Sequence, residues 1–178
     1  MAAVRRIIVG VHGSLGSLQA LRYAAEEARA RQVPLVPVIT WVPPGGDLSE
    51  RSRPSPYLRQ VWQDAASQRL AAAFNAGLGG MPSDVRVQPR VARGDTGPVL
   101  VDIADQLGDL LVIGTGRRSL VGRALRKSVG RYCLAHARCP VLAVPPSALM
   151  DEMRHGLRSW SLRGRHALVS DISELTGN

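Results

Sequence analysis

The chain has 178 residues, enough for one domain of ordinary size with an extension. Apolar residues make up 45%, yet there are only one Phe, three Tyr and three Trp, so a buried core must be aliphatic. The formal charge is +9, and no run approaches the ~18 consecutive apolar residues of a membrane span, which argues against a membrane protein.

The charge is unevenly placed. Residues 1–113 hold twelve Arg against ten acidic residues, and the tail from 146 balances four Arg with four acids. Residues 114–131 hold six bases and no acid. Lys127 is the only lysine in a chain rich in Ala, Gly and Pro. A GC-rich genome produces that bias, so the high pI alone is weak ground for nucleic-acid binding.

The opening MAAVRRIIVGVHG sets charge before an apolar run, but the run is short and broken by glycine. It reads as a first strand, Arg5 to Val11, rather than a leader, and the expected compartment is the cytoplasm. Its continuous β-branched character is that of a strand buried on both faces. Ser14 to Arg31 follows as a helix, with Leu18, Leu21, Ala24, Ala25 and Ala28 at helical spacing. PLVPVITWV from Pro34 is a second apolar run and the second strand, in which Pro37 has no N–H to donate and weakens the signal for a central strand.

Residues 43–56, PPGGDLSERSRPSP, are loop by composition. A long helix is expected from Tyr57 to Ala76, turning Leu58, Val61, Ala65, Leu70, Ala73 and Phe74 inward. DVRVQPRVA alternates as a half-buried strand interrupted by Pro89, and Asp95 or Thr96 caps a helix predicted to reach Leu107. DLLVIG is a buried strand, Ser128 opens a short helix to about Ala137, and PVLAV, Pro140 to Val144, is the last strand. Alternating strands and helices predict a parallel, doubly wound, Rossmann-like sheet of five strands with order 3-2-1-4-5. Ligands of such sheets bind beyond the carboxyl ends where strand order reverses, which points to Gly10–Ser14 beside Gly114.

Several phrases resemble the universal stress protein family. RRIIVGVHGS is similar to its opening strand and turn, LGDLLVIGTG to its fourth strand entering the nucleotide loop, and LAHARCPVLAV to its closing helix, turn and strand. The resemblance covers roughly residues 4–145 and divides the chain into a 1–145 domain and a 146–178 extension. It implies a stress-response role, a homodimer paired through Pro140 to Val144, and a binding or regulatory module rather than an efficient enzyme. ATP-binding members carry Gly-x2-Gly-x9-Gly-Ser/Thr. Here that spacing survives at Gly114, 117, 127 and Ser128, but Arg117 and Lys127 stand in place of the second and third glycines. Position 12, where ATP-binding relatives present an aspartate, is His12, which cannot chelate two ribose hydroxyls as a carboxylate does. The resemblance places Gly10, Thr40, Ile113 and Val129 in the same site.

Three readings of the basic loop stay open. ATP binds with Arg117 and Lys127 as side-chain ligands; ATP binding has been lost; or another anion binds, such as a phosphorylated metabolite or nucleic acid. Two departures together favour loss, because a Cβ at 117 or 127 crowds a cradle that glycine leaves open. Nucleic acid is disfavoured, since no aromatic residues interleave Arg118, Arg123 and Arg126. No catalytic residue stands out. His12 has no nearby acid in sequence and reads as a turn residue, and Ser128 as a helix cap. Cys133, His136 and Cys139 lack an evident fourth ligand, so no metal is expected. In the extension, Leu149, Met153, Leu157 and Trp160 share one face of a predicted helix, placed to pack on the sheet or on a partner.

Overall fold

Strand β1 (Arg6–Gly10) carries three successive β-branched residues, and in the computed structural model Ile7, Ile8 and Val9 are all fully buried. Burial on both faces is the state of a central strand in a parallel sheet. The structure describes residues 3–46, 50, 54–115 and 128–146. Arg117, Lys127, the neighbouring arginines 118, 123 and 126, and the expected extension helix lie outside them. The unit considered ends at Pro145.

The elements that follow are α1 (Leu15–Arg31), β2 (Leu35–Trp41), α2 (Pro56–Leu78), β3 (Arg90–Arg93) and α3 (Thr96–Ile103). Then come β4 (Asp109–Gly114), α4 (Val129–His136) and β5 (Val141–Val144). All strands pair in parallel, in the order β3-β2-β1-β4-β5 that the alternation of elements predicts. Alternate residues of β1 feed opposite layers. Ile7 and Val9 join Ala20, Leu21 and Ala24 of α1 and Ala73 and Phe74 of α2, while Ile8 joins Leu100 of α3 and Cys133 of α4. Each buried branched side chain contributes about 1.5–3 kcal/mol of transfer free energy, so the two aliphatic layers stand in for the missing aromatic core.

Pro37 lies in an interior strand despite its missing donor, as the predicted order 3-2-1-4-5 requires. Leu35 bridges Val87 and Val38 pairs with Arg90. Pro37 therefore stands opposite Pro89 in one continuous register, and regular β3 pairing resumes only after it. Gln88 and Leu35 still bond across the two strands, so Arg86, Gln88 and Arg90 are the residues that face β2, and the missing donor of Pro89 falls on the open edge rather than in the ladder.

The long helix also differs from its pattern. Ser55 caps it and Pro56 occupies its first turn. Its buried residues start at Ala66 and continue through Leu70, Ala73, Phe74 and Gly77, whereas Leu58, Val61 and Ala65 are exposed. Periodicity identifies residues that share a face, but the sheet beneath covers only the second half of that face. Helix α3 ends at Ile103, short of Leu107, which is 90% exposed.

At the amino ends of the strands, Arg6 grips Asp109 with two hydrogen bonds of 2.7 and 2.8 Å and donates a third, 2.8 Å, to Ile103 O. The Asp109 side chain is 1% exposed, and the Gln106 amide also donates to it at 2.9 Å. The hydrogen bond that Arg6 donates to Asp109 raises the Arg6 pKa further, against the desolvation that would lower it. Arg6 and Asp109 are also partners in the parallel register of β1 and β4, so charge and ladder specify the same alignment.

Candidate functional site at the carboxyl ends of the strands

The turn after β1 is closed by its own side chains. Gly13 adopts a positive φ of 82°, and Ser14 caps α1, accepting from the Ser17 amide at 3.3 Å. Ser17, 2% exposed, donates its hydroxyl to Ser14 O at 2.9 Å and accepts from the His12 amide at 3.3 Å. The exposed His12 imidazole meets Ser14 Oγ through Nε2 at 3.1 Å. His12 is thus a hydrogen-bonded turn residue, as its sequence context predicts. Ser14 and Ser17 were legible only as a Ser-x-x-Ser spacing at a helix start.

The end of β4 approaches the first turn of α1 almost backbone to backbone. A Cβ on Gly114 would lie 2.3 Å from Gly16 O and 2.9 Å from Ser17 N. A Cβ on Gly16 would lie 3.1 Å from Thr115 O. The absent side chain at Gly114 is therefore required by helix–strand packing, whatever binds beyond it. A glycine inside the first turn of a helix is the sequence signal for such an approach, because glycine is otherwise costly there. Gly10 is less constrained, since its Cβ would meet only Leu100 Cδ1, at 2.9 Å.

Next to these, Thr115 turns back onto β5, donating its amide to Val144 O at 2.8 Å and its hydroxyl to the same oxygen at 3.2 Å. Ile113 is 3% exposed and belongs to the α3–α4 layer, so only its backbone is available to a ligand. Ser128 caps α4, accepting from the Arg131 amide at 3.4 Å, and Val129 packs into the same layer as Ile113. Gly130 lies over Ile113, where a Cβ would touch Ile113 Cδ1 at 3.4 Å.

The β2 side carries a pair that sequence reading missed. Thr40 Oγ1 and Thr96 Oγ1 are 2.7 Å apart, joining the end of β2 to the start of α3. Thr96 was legible only as a potential cap; its partner 56 positions away was not. Asp95 occupies the N-cap position of α3 but makes no side-chain cap bond, and it is exposed. Gly97 is buried against the Tyr132 ring, which a Cβ would approach to 2.9 Å, bringing α3 and α4 together over the sheet.

Helices α1, α3 and α4 all begin at this end, and none has an acidic residue in its first turn. The starts of α1 and α4, capped by Ser14 and Ser128, thus present partial positive charge with no acid in the cap or first turn, the condition that favours an anion, whereas α3 has Asp95 at its cap. Among the described residues, no group of three or more His, Cys, Asp or Glu side chains is placed to hold a metal. Cys133 and Cys139 are free, and burial is the main cause pushing both thiols up, away from reactivity. No helix among the described residues is long and apolar enough to cross a membrane.

Comparison with known proteins gives consistent relatives. The chain is 28% identical over 160 residues to the universal stress protein Rv2005c of Mycobacterium tuberculosis, covering 84% of this chain and 51% of that protein. It has the same identity and coverage with the universal stress protein Mb2028c of Mycobacterium bovis. The chain thus spans about half the length of the curated relatives it matches. Among solved structures, a universal stress protein in complex with cAMP superposes with a TM-score of 0.54 at 26% identity, over 82% of this chain and 100% of that one. A universal stress protein from Archaeoglobus fulgidus shares the fold with a TM-score of 0.55 at 24% identity, over 79% and 98%. The model of the universal stress protein family matches residues 3–145. With the five-stranded sheet and its reversal between β1 and β4, that match establishes that the chain belongs to the universal stress protein family.

Proposed function

We propose that this chain is a non-catalytic binding and regulatory module of the stress response, cytoplasmic and homodimeric, that holds ATP weakly or not at all. The supporting observation is that the polar rim of the cleft is satisfied from within. The His12 ring engages Ser14, Thr40 engages Thr96, Thr115 engages Val144, and Ser128 engages Arg131. A nucleotide must compete with these bonds, and His12 replaces the carboxylate that would best reward it. The proposed site comprises Gly10, His12, Thr40, Ile113, Gly114, Arg117, Lys127, Ser128 and Val129. Slow ATP hydrolysis or phosphotransfer would need a carboxylate near Gly114 to hold a metal. Of the nearest acids in sequence, Asp109 lies at the far end of β4, bound to Arg6, and Asp95 is a single exposed carboxylate at the cap of α3.

The two edges of the sheet support the proposed homodimer. Edge strand β3 carries Arg90 and Arg93, both exposed, whereas β5, VLAV, carries no charge to deter pairing. The extension from 146 is proposed as a separate helical, partner-contacting element.

A second reading is favoured by the helix starts without acidic first turns and by the cAMP complex of a similar universal stress protein. In it, the cleft takes a phosphorylated small molecule with few charges, which Arg117 and Lys127 grip without a glycine cradle. Nucleic-acid binding through the basic loop is the remaining alternative and would show a steep salt dependence.

Calorimetry with ATP and Mg²⁺, and separately with cAMP, tests these readings on wild type and on the Arg117→Gly, Lys127→Gly variant. The first reading expects little heat from wild type with either ligand and a gain for ATP in the variant. Binding of cAMP by wild type, lost in the variant, supports the second. Equal ATP binding by both proteins overturns the degenerate-loop reading. Mass spectrometry of the denatured native protein checks the same point, because co-purified ATP contradicts it.

A further inference from the structure

Beyond the cleft, one cluster of buried charge has no part in the binding site. Glu50 is 6% exposed although it lies in the proline-rich connection between β2 and α2. Arg59 Nε, on α2, donates to its Oε1 at 2.9 Å, and Arg93 Nη2 lies 2.6 Å from its Oε2. The Arg93 guanidinium also stands over the Trp41 ring, 5.8 Å from the centroid, and Trp41 is 6.0 Å from Trp62 of α2. A carboxylate so deeply buried persists because two guanidiniums share it. Arg93 closes β3, and the next residue, Gly94, donates its amide to Trp41 O at 2.9 Å. Two residues further on, Thr96 meets Thr40. Whatever holds Arg93 in place therefore holds the β3–α3 turn that walls the β2 side of the cleft.

We propose that Glu50 is a positioning residue: through Arg93 and Trp41 it sets the β3–α3 turn, and through Arg59 it ties the start of α2 to the same point. Without its carboxylate two like charges face each other, and both attachments loosen together. This inference goes beyond the binding reading and requires no ligand, so either can fail alone.

The test uses the full chain carrying Trp160→Phe, which leaves Trp41 and Trp62 as the only emitters. In that background, Glu50→Gln should shift tryptophan emission to the red and speed amide exchange at Gly94 about tenfold, a coupling within the range measured for residues in one ion-pair network. Exchange at Ile8 and Leu111 should not change. Adding Arg93→Gln to Glu50→Gln should add little, because the two act through one contact. If Glu50→Gln does not fold, Arg93→Lys, which keeps the charge but loses the planar stack, takes its place with the same expectations. Unchanged emission and Gly94 exchange overturn the proposal. So does an equal rise at Ile8 and Leu111, which would make Glu50 a contributor to global stability only.

Discussion

The two ends of the sheet are closed by different physics. At the amino ends, a buried ion pair between Arg6 and Asp109 locks β1 to β4. At the carboxyl ends of the same two strands the described residues form no such pair. Glycine backbones touch, and hydroxyls, an imidazole and main-chain groups share short neutral bonds. Burying a charge pair is costly unless its geometry is good, and breaking it is costlier still, so it suits an end that need never open. Neutral bonds of about 1 kcal/mol each can be exchanged for a ligand's without stranding a charge. The contrast therefore separates an end built for register from an end left adjustable.

The sharpest way to break this comparison is Gly114→Ala. Its Cβ would sit 2.3 Å from Gly16 O, and backbone cannot yield as a side-chain tip can. Urea denaturation should show a loss of about 3 kcal/mol or more, at the top of the overpacking range. A near-neutral result would mean that the β4–α1 contact is looser than described. Next, Asp109→Asn should cost about 2–3 kcal/mol in the same assay, below the usual figure for a broken buried pair because Arg6 keeps 21% side-chain exposure. If it costs nothing, the amino end is not held by charge. Gly10→Ala should lose only about 1 kcal/mol, because Leu100 Cδ1 can move aside.

A pH series sharpens the picture further. Cys133 and Cys139 titrate higher in the folded chain than in the unfolded one, chiefly through burial. Their contribution is complete below the ordinary thiol range, about pH 8.5, and declines as the pH rises through it, because the unfolded chain loses its thiol protons first. Denaturation midpoints between neutral and alkaline pH should fall accordingly, and Cys133→Ala should flatten that fall. The smallest effect is expected from His12→Ala. It removes one exposed hydrogen bond and should leave stability within about 0.5 kcal/mol of wild type.

Much of this could be read from the sequence where the signal was local. The β-branched run of β1, the cap Ser128 and the turn role of His12 all depend on neighbours within a few positions. The strand order followed because right-handed crossovers leave few arrangements for alternating elements. Three features were not legible. Leu58 and Val61 share the helical spacing of Leu70 and Phe74, yet no strand lies beneath them. That Pro37 stands opposite Pro89 depends on the register of two strands far apart in the chain. Glu50, in a segment that composition marks as loop, is among the most buried acids described.

The sequence by itself determined the family and the parallel doubly wound sheet, because these rest on periodicity, short phrases and chain connectivity. Tertiary structure alone decided what its glycines, threonines and buried acids do. Gly114 serves the first turn of α1, Thr40 is matched with Thr96, and Glu50 gathers Arg59 and Arg93 against Trp41. Each of these joins groups far apart in the chain, and only packing decides which distant groups come close enough to satisfy or exclude one another.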